Sequence, residues 1–212
     1  MSKITKIEVA KRNKERVNVY IDDAYAFSCF GELIYKINLS KDMVIDLDKL
    51  SELVAQEEFL KCKNSALRIL EKNHKTRKEI EDKLIEKEYS EKTIERTFKF
   101  LEEYNFINDD KYSELYIKDK IKNQGRNKIK YTLMRKGIDK ETINEKLMNI
   151  DENIEKDTCI KLAEKKLQSL ARKEDNKYVI STKLIKFLIS KGYDYEMASG
   201  VAKETLNISI YD

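Results

Sequence analysis

The stretch Ile129-Lys130-Tyr131-Thr132-Leu133-Met134-Arg135-Lys136-Gly137-Ile138 sets two apolar residues one helical turn apart, then stops on a glycine followed by another apolar side chain. The same phrase occurs before it as Ile80-x3-Leu84-x3-Glu88-Tyr89 and after it as Leu184-x3-Leu188-x3-Gly192-Tyr193. Each turn leads into a further ladder, at Ile94 and Phe98, at Ile143 and Leu147, and at Ala198 and Ala202. Leu133 follows Leu84 by 49 residues and Leu188 follows Leu133 by 55, periods that suit small helical units stacked in a row. Apolar stripes at this spacing read as core positions.

Working outward, each unit acquires three helices. Thr76-x-x-Glu79 forms a capping box for the second helix of the first unit, and the third follows Ser90. Asn108-Asp109-Asp110 opens the second unit with Tyr112, Leu115, Tyr116 and Ile121 as its stripe; Gln124-Gly125 breaks that helix and Asp139 caps the last. The third unit carries Ile160, Ala163, Leu167 and Leu170, a polar link from Arg172 to Lys177, and Asp194 as its final cap. Gly137 and Gly192 are expected as left-handed stops. A helix beginning near Asp46 or Asp48 and running towards Asn73 precedes these, after a short one over residues 30–37.

The N-terminal region alternates instead. Ile4 to Val9 and Val17 to Ile21 read as strands around a polar hairpin loop, Lys11 to Arg16; Asp22-Asp23 turns the chain into a third run, Ala24 to Ser28. The fold class is therefore mainly α, tandem three-helix repeats in an elongated curved array with a small N-terminal antiparallel β element. The expected divisions are residues 1–45 for the strands and short helix, then 46–108, 109–150 and 151–212 for the repeats.

Composition agrees with short units. Charged residues are 39% of 212 and hydrophobic ones 41%, thin material for one large core, whereas a helix needs only one apolar stripe. Pro is absent. No apolar run approaches the roughly 18 residues that cross a bilayer, and the N-terminus does not read as a secretory signal. Cys29, Cys62 and Cys159 are odd in number and widely spaced, which points away from disulfides and zinc and towards buried cysteines in a reducing, cytoplasmic protein.

Net charge is only +4, but it is unevenly spread. Lys118, Lys120, Lys122, Arg126, Lys128, Lys130, Arg135 and Lys136 face a single acid, Asp119, between residues 118 and 136, giving that segment +7. Residues 41–59 sum to −4. The basic segment brackets Gly125, so two helix ends project cations around one corner: either a solvated face or an anion-binding surface. Tyr131 lies within it and either stacks on a base or packs against the repeat core. No phosphate loop, dinucleotide turn or nucleophile elbow occurs, and the sole histidine, His74, reads as a surface or helix-end residue. The expectation is no active site, cofactor or metal.

Ile107-Asn108-Asp109-Asp110-x-Tyr112 followed by Gly125-x3-Ile129-x3-Leu133-x2-Lys136-Gly137-Ile138 resembles the central repeat of the RecX family of recombination regulators. The likeness extends through the Thr76 and Leu184 phrases, over roughly residues 60–206, and Ile4 to Glu8 with Asp22 to Ser28 resembles the extension of longer members. The resemblance implies a non-enzymatic regulator that binds the RecA nucleoprotein filament along its groove, limits ATP hydrolysis, strand exchange and co-protease action, and has some affinity for single- or double-stranded DNA. The partner site is expected at the basic corner, with no membrane association and a monomeric state. Two departures stand out: Glu88 takes the place of the stop glycine, and Asn127 stands near where many members carry proline. The competing reading is a plain nucleic-acid-binding helical module.

Overall fold

A computed structural model of the chain describes residues 2–207, the side chain of Glu152 excepted; the last five residues of the expected third repeat lie outside that range. Among the described residues four strands and ten helices follow in order. They are β1 (Ser2–Val9), β2 (Arg16–Ile21), β3 (Ala24–Phe30), α1 (Gly31–Lys36), β4 (Val44–Ile45), α2 (Leu47–Lys72), α3 (Arg77–Glu86), α4 (Glu91–Glu103), α5 (Asp109–Lys120), α6 (Arg126–Arg135), α7 (Lys140–Met148), α8 (Glu152–Leu170), α9 (Lys177–Ser190) and α10 (Tyr195–Leu206). The molecule is mostly helical, with three tandem three-helix domains after a small antiparallel strand element. It divides into two compact units. One holds residues up to His74 together with Ile80–Phe106; the other holds Lys75–Glu79 and the chain from Ile107 onward.

In the first unit the sheet has the order β3-β2-β1-β4, every neighbouring pair antiparallel. Asp22 and Asp23 both take positive φ, the backbone a tight hairpin turn demands. Ile4, Val19, Ile21 and Cys29 bury against Leu33, Leu39 and Leu50, so α1 and the start of α2 cover the sheet's apolar face. β4 is an addition to the three expected strands; at two residues it carries too little alternation to be seen in sequence. Arg16 corrects the expected loop: it is the first residue of β2 and is 8% exposed. Its guanidinium donates to the Ser28 carbonyl (3.1 Å) and the Glu88 carbonyl (3.4 Å) and pairs with Glu58 at 3.3 Å. Glu58 in turn accepts from Ser90 (2.9 Å) and Thr93 (2.7 Å), so one carboxylate ties strand, long helix and α4 together.

All six ladder residues of the repeated phrase, Ile80, Leu84, Ile129, Leu133, Leu184 and Leu188, are fully buried. The second ladders are buried as well, and Tyr89, Ile138 and Tyr193 close each turn from inside. Gly137 (φ +86°) and Gly192 (φ +99°) are the left-handed stops, and Glu88 adopts the same region at φ 61° without glycine's freedom. Asn108, Asp139 and Asp194 each cap their helix through a side-chain oxygen. The α5 stripe needs one correction. Leu115 is 52% exposed, and Ile117, on the opposite side of that turn, is buried with Ile121. All three cysteines are buried and free, and burial pushes their thiols up, to about 11 at Cys29 and Cys62 and about 12 at Cys159.

Candidate nucleic-acid and partner interface

The basic corner is built on α6, and its position is set by backbone contact. The Gly125 amide donates to the Lys191 carbonyl at 3.0 Å, and the Asn127 amide to the Gly192 carbonyl at 3.1 Å. A Cβ at Gly125 would lie 2.5 Å from the Gly192 carbonyl group, and one at Gly192 would lie 2.3 Å from Lys128 Cβ. Gly125 is extended, with φ −77°, so glycine is required there for close approach and not for conformation.

Two of the eight expected cations are consumed by this framework. Arg126 Nε lies 2.6 Å from Glu155 Oε2, its Nη2 donates to the Ile150 carbonyl at 2.9 Å, and its backbone amide donates to Glu155 Oε1 at 2.8 Å. Glu155 is 5% exposed, so the pair anchors the start of α6 on α8 and presents no free charge. Lys136 pairs with Glu79 at 2.7 Å, while its carbonyl accepts from the Thr76 hydroxyl at 2.7 Å. Burial is the largest single influence and opposes both charges, but the mutual hydrogen bond and attraction, joined by the Thr76 amide at Glu79 and by Tyr112 at Lys136, together outweigh it: Glu79 is held below its usual value and Lys136 above. The capping box read at Thr76 and Glu79 is present in both directions and is joined to the α6 terminus as well.

The remaining six divide again. Lys130 donates to Asn144 Oδ1 at 2.7 Å, and Lys120 pairs with its neighbour Asp119 at 2.8 Å. Lys118, exposed on α5, lines an apolar cleft of about 460 Å³ with Ile117, Ile121, Ile150 and Ile154. Lys118, Lys122, Lys128 and Arg135 make no ion pair among the described residues; the Lys128 ammonium reaches only the Ser190 carbonyl, at 3.5 Å. Three exposed side chains, Lys128, Tyr131 and Arg135, fall on one side of α6 at spacings of three and four, with Arg135 5.9 Å from the Tyr131 ring centre. Tyr131 is 62% exposed, so it faces solvent and does not pack into the core. The corner expected from eight cations is thus an open face of three residues, with Lys118 and Lys122 on the preceding helix and turn.

That face offers a point cation, a planar cation and a π surface, chemistry that meets phosphates, carboxylates or a base. Among the described residues no group of three or more His, Cys, Asp or Glu is placed to hold a metal ion. No helix there is long and apolar enough to cross a membrane.

Family models match along the chain: the regulatory protein RecX N-terminal domain over residues 2–46, and the first, second and third three-helix domains of RecX over 62–101, 108–147 and 154–201. Among curated relatives, a regulatory protein RecX of Clostridium perfringens is 54% identical across 98% of both chains. One of Clostridium beijerinckii is 50% identical across the whole of both. A solved regulatory protein RecX superposes with a TM-score of 0.65 at 25% identity, covering 99% of this chain and all of that one. The RecX of Lactobacillus salivarius gives 0.63 at 28% identity, over 72% of this chain and 99% of that one.

Proposed function

This chain belongs to the RecX family of regulatory proteins, and from that premise we propose that it binds the RecA recombinase filament and inhibits its ATP hydrolysis, strand exchange and co-protease action. The contact is made by the open face of α6. Lys128 and Arg135 meet acidic groups of the filament or the phosphates of its DNA, and the other repeats add weak contacts that combine through effective concentration. The protein works without a cofactor and without chemistry of its own, as a monomer in the cytoplasm. The observation that carries this reading is the α6 face itself: exposed, without a neighbouring carboxylate pairing its cations, and held in place by two internal ion pairs.

The exposed Tyr131 supports a second reading, a nucleic-acid-binding helical module that regulates by occupying DNA. An ATPase titration separates the two. RecA is assembled on single-stranded DNA, this protein is added, and hydrolysis is followed. Suppression at concentrations far below those that coat the bare DNA supports a filament contact. Suppression only when the DNA is saturated overturns it in favour of the module.

A further inference from the structure

The third repeat carries a surface that none of these readings uses. Tyr178, Ser181, Ile185 and Ile189 on α9 face Tyr195, Ser199 and Lys203 on α10 across a cleft of about 760 Å³. Lys177 and Lys186 complete its rim, and no carboxylate lines it. The three lysines are exposed and make no ion pair among the described residues. Tyr178 is 80% exposed and Tyr195 69%. The charge separation is helical: Tyr195, Ser199 and Lys203 recur every four residues on one side of α10, while Glu196 and Glu204 line a different cleft with Glu155.

We propose that the α9–α10 cleft binds single-stranded nucleic acid, with bases stacked on Tyr178 and Tyr195 and phosphates held by Lys177, Lys186 and Lys203. Beside the tyrosines the polar lining is three ammonium groups, the hydroxyls of Ser181, Thr182 and Ser199 and the Asn207 amide, so its only formal charge is positive. A ligand matching it brings acceptors beside flat apolar faces, as a nucleotide chain does. An extended acidic peptide fits less well, because it brings carboxylates to the lysines but no regularly spaced flat rings to lie on Tyr178 and Tyr195. Duplex DNA fits less well too, since its bases are already stacked on one another. This inference stands apart from the RecA reading, because its residues lie on other helices than α6.

Fluorescence anisotropy of a labelled oligothymidylate, measured over a range of salt, tests it. Tyr178→Ala and Tyr195→Ala should each weaken binding about 5- to 100-fold with an unchanged salt slope. Lys186→Gln with Lys203→Gln should weaken binding and flatten the slope by roughly 0.7 for each phosphate left without its lysine. All four side chains are exposed, and unchanged circular dichroism and melting verify folding. Affinity and slope equal to wild type in both sets overturn the proposal, as does loss of binding only in Lys128→Glu with Arg135→Glu. Equal affinity for duplex, or displacement of the oligonucleotide by an oligoglutamate peptide at matched concentration, overturns it in favour of those ligands. RecA ATPase suppression is read separately, so either conclusion can fail alone.

Discussion

Glycine is required at Gly192 and not at Gly200, and single substitutions separate the two. Gly192 needs both its left-handed backbone and the absence of a Cβ, since an added carbon would sit 2.3 Å from Lys128 Cβ and 2.5 Å from the Lys128 amide nitrogen. Gly192→Ala should therefore cost about 1–2 kcal/mol for the backbone and a further roughly 1–3 kcal/mol for overpacking. Gly200 lies within α10, and a methyl group there would meet nothing within 4 Å, so Gly200→Ala should stabilise by about 0.5–1 kcal/mol. Chemical denaturation midpoints check both. The stops are legible in the sequence; the clasp at Gly125 is not, because close approach leaves no mark on local pattern. The Glu79–Lys136 pair has a pH signature. Glu79 is held below its ordinary 4.5, so its stabilisation is complete above that value and is lost as pH falls through the depressed one. Lys136, raised above 10.5, contributes fully below that value and loses its part as pH rises through the raised one. Glu79→Gln should cost about 1–2 kcal/mol at neutral pH, with the gap to wild type closing in acid. A constant gap in melting temperature from neutral pH into acid would show that the charge on Glu79 contributes nothing.

Helices are legible where a cap and a stop frame a period, and less so where only apolar residues do. Thr76, Asn108, Asp139 and Asp194 each cap the helix that follows them, because a side-chain oxygen before a periodic run satisfies amides that the helix leaves unpaired. In α5 and at its C-cap the apolar residues Leu115, Tyr116, Ile117 and Ile121 are too crowded for period alone to choose a face, and tertiary packing selects Ile117. Leu133→Ala should cost about 2–5 kcal/mol, as expected of a fully buried leucine. Leu115→Ala, at a half-exposed position, should change stability by no more than about 0.5 kcal/mol. Thermal melts of the two variants side by side decide the facing of α5 against that of α6. The β element shows the same division: hairpin alternation places β1, β2 and β3, whereas the buried Arg16–Glu58 pair joins residues 42 positions apart and has no local signal.

At the scale of the molecule, the charge pattern marks a segment that does carry exposed cations and overstates how many of them are open. A tally of Lys and Arg treats every cation as free, yet Arg126 and Lys136 are fixed by Glu155 and Glu79, partners 29 and 57 residues away that no window around the cluster includes. Only folding brings those carboxylates in. Function should follow the cations that remain. Lys128→Glu with Arg135→Glu leaves both internal ion pairs and the Gly125 clasp untouched, so the variant should melt like wild type. It should weaken inhibition of RecA ATP hydrolysis most at low salt, where charge contributes most, and flatten the salt dependence of the half-inhibitory concentration by roughly 0.7–0.9 for each phosphate no longer neutralised. Lys136→Gln is the opposite case: it should lower the melting temperature by loosening Glu79 while leaving the salt dependence nearly unchanged. Inhibition by the double variant equal to wild type at every salt concentration would remove the α6 face as the contact, and a loss of salt dependence in Lys136→Gln instead would move the contact to the cations that the fold has paired.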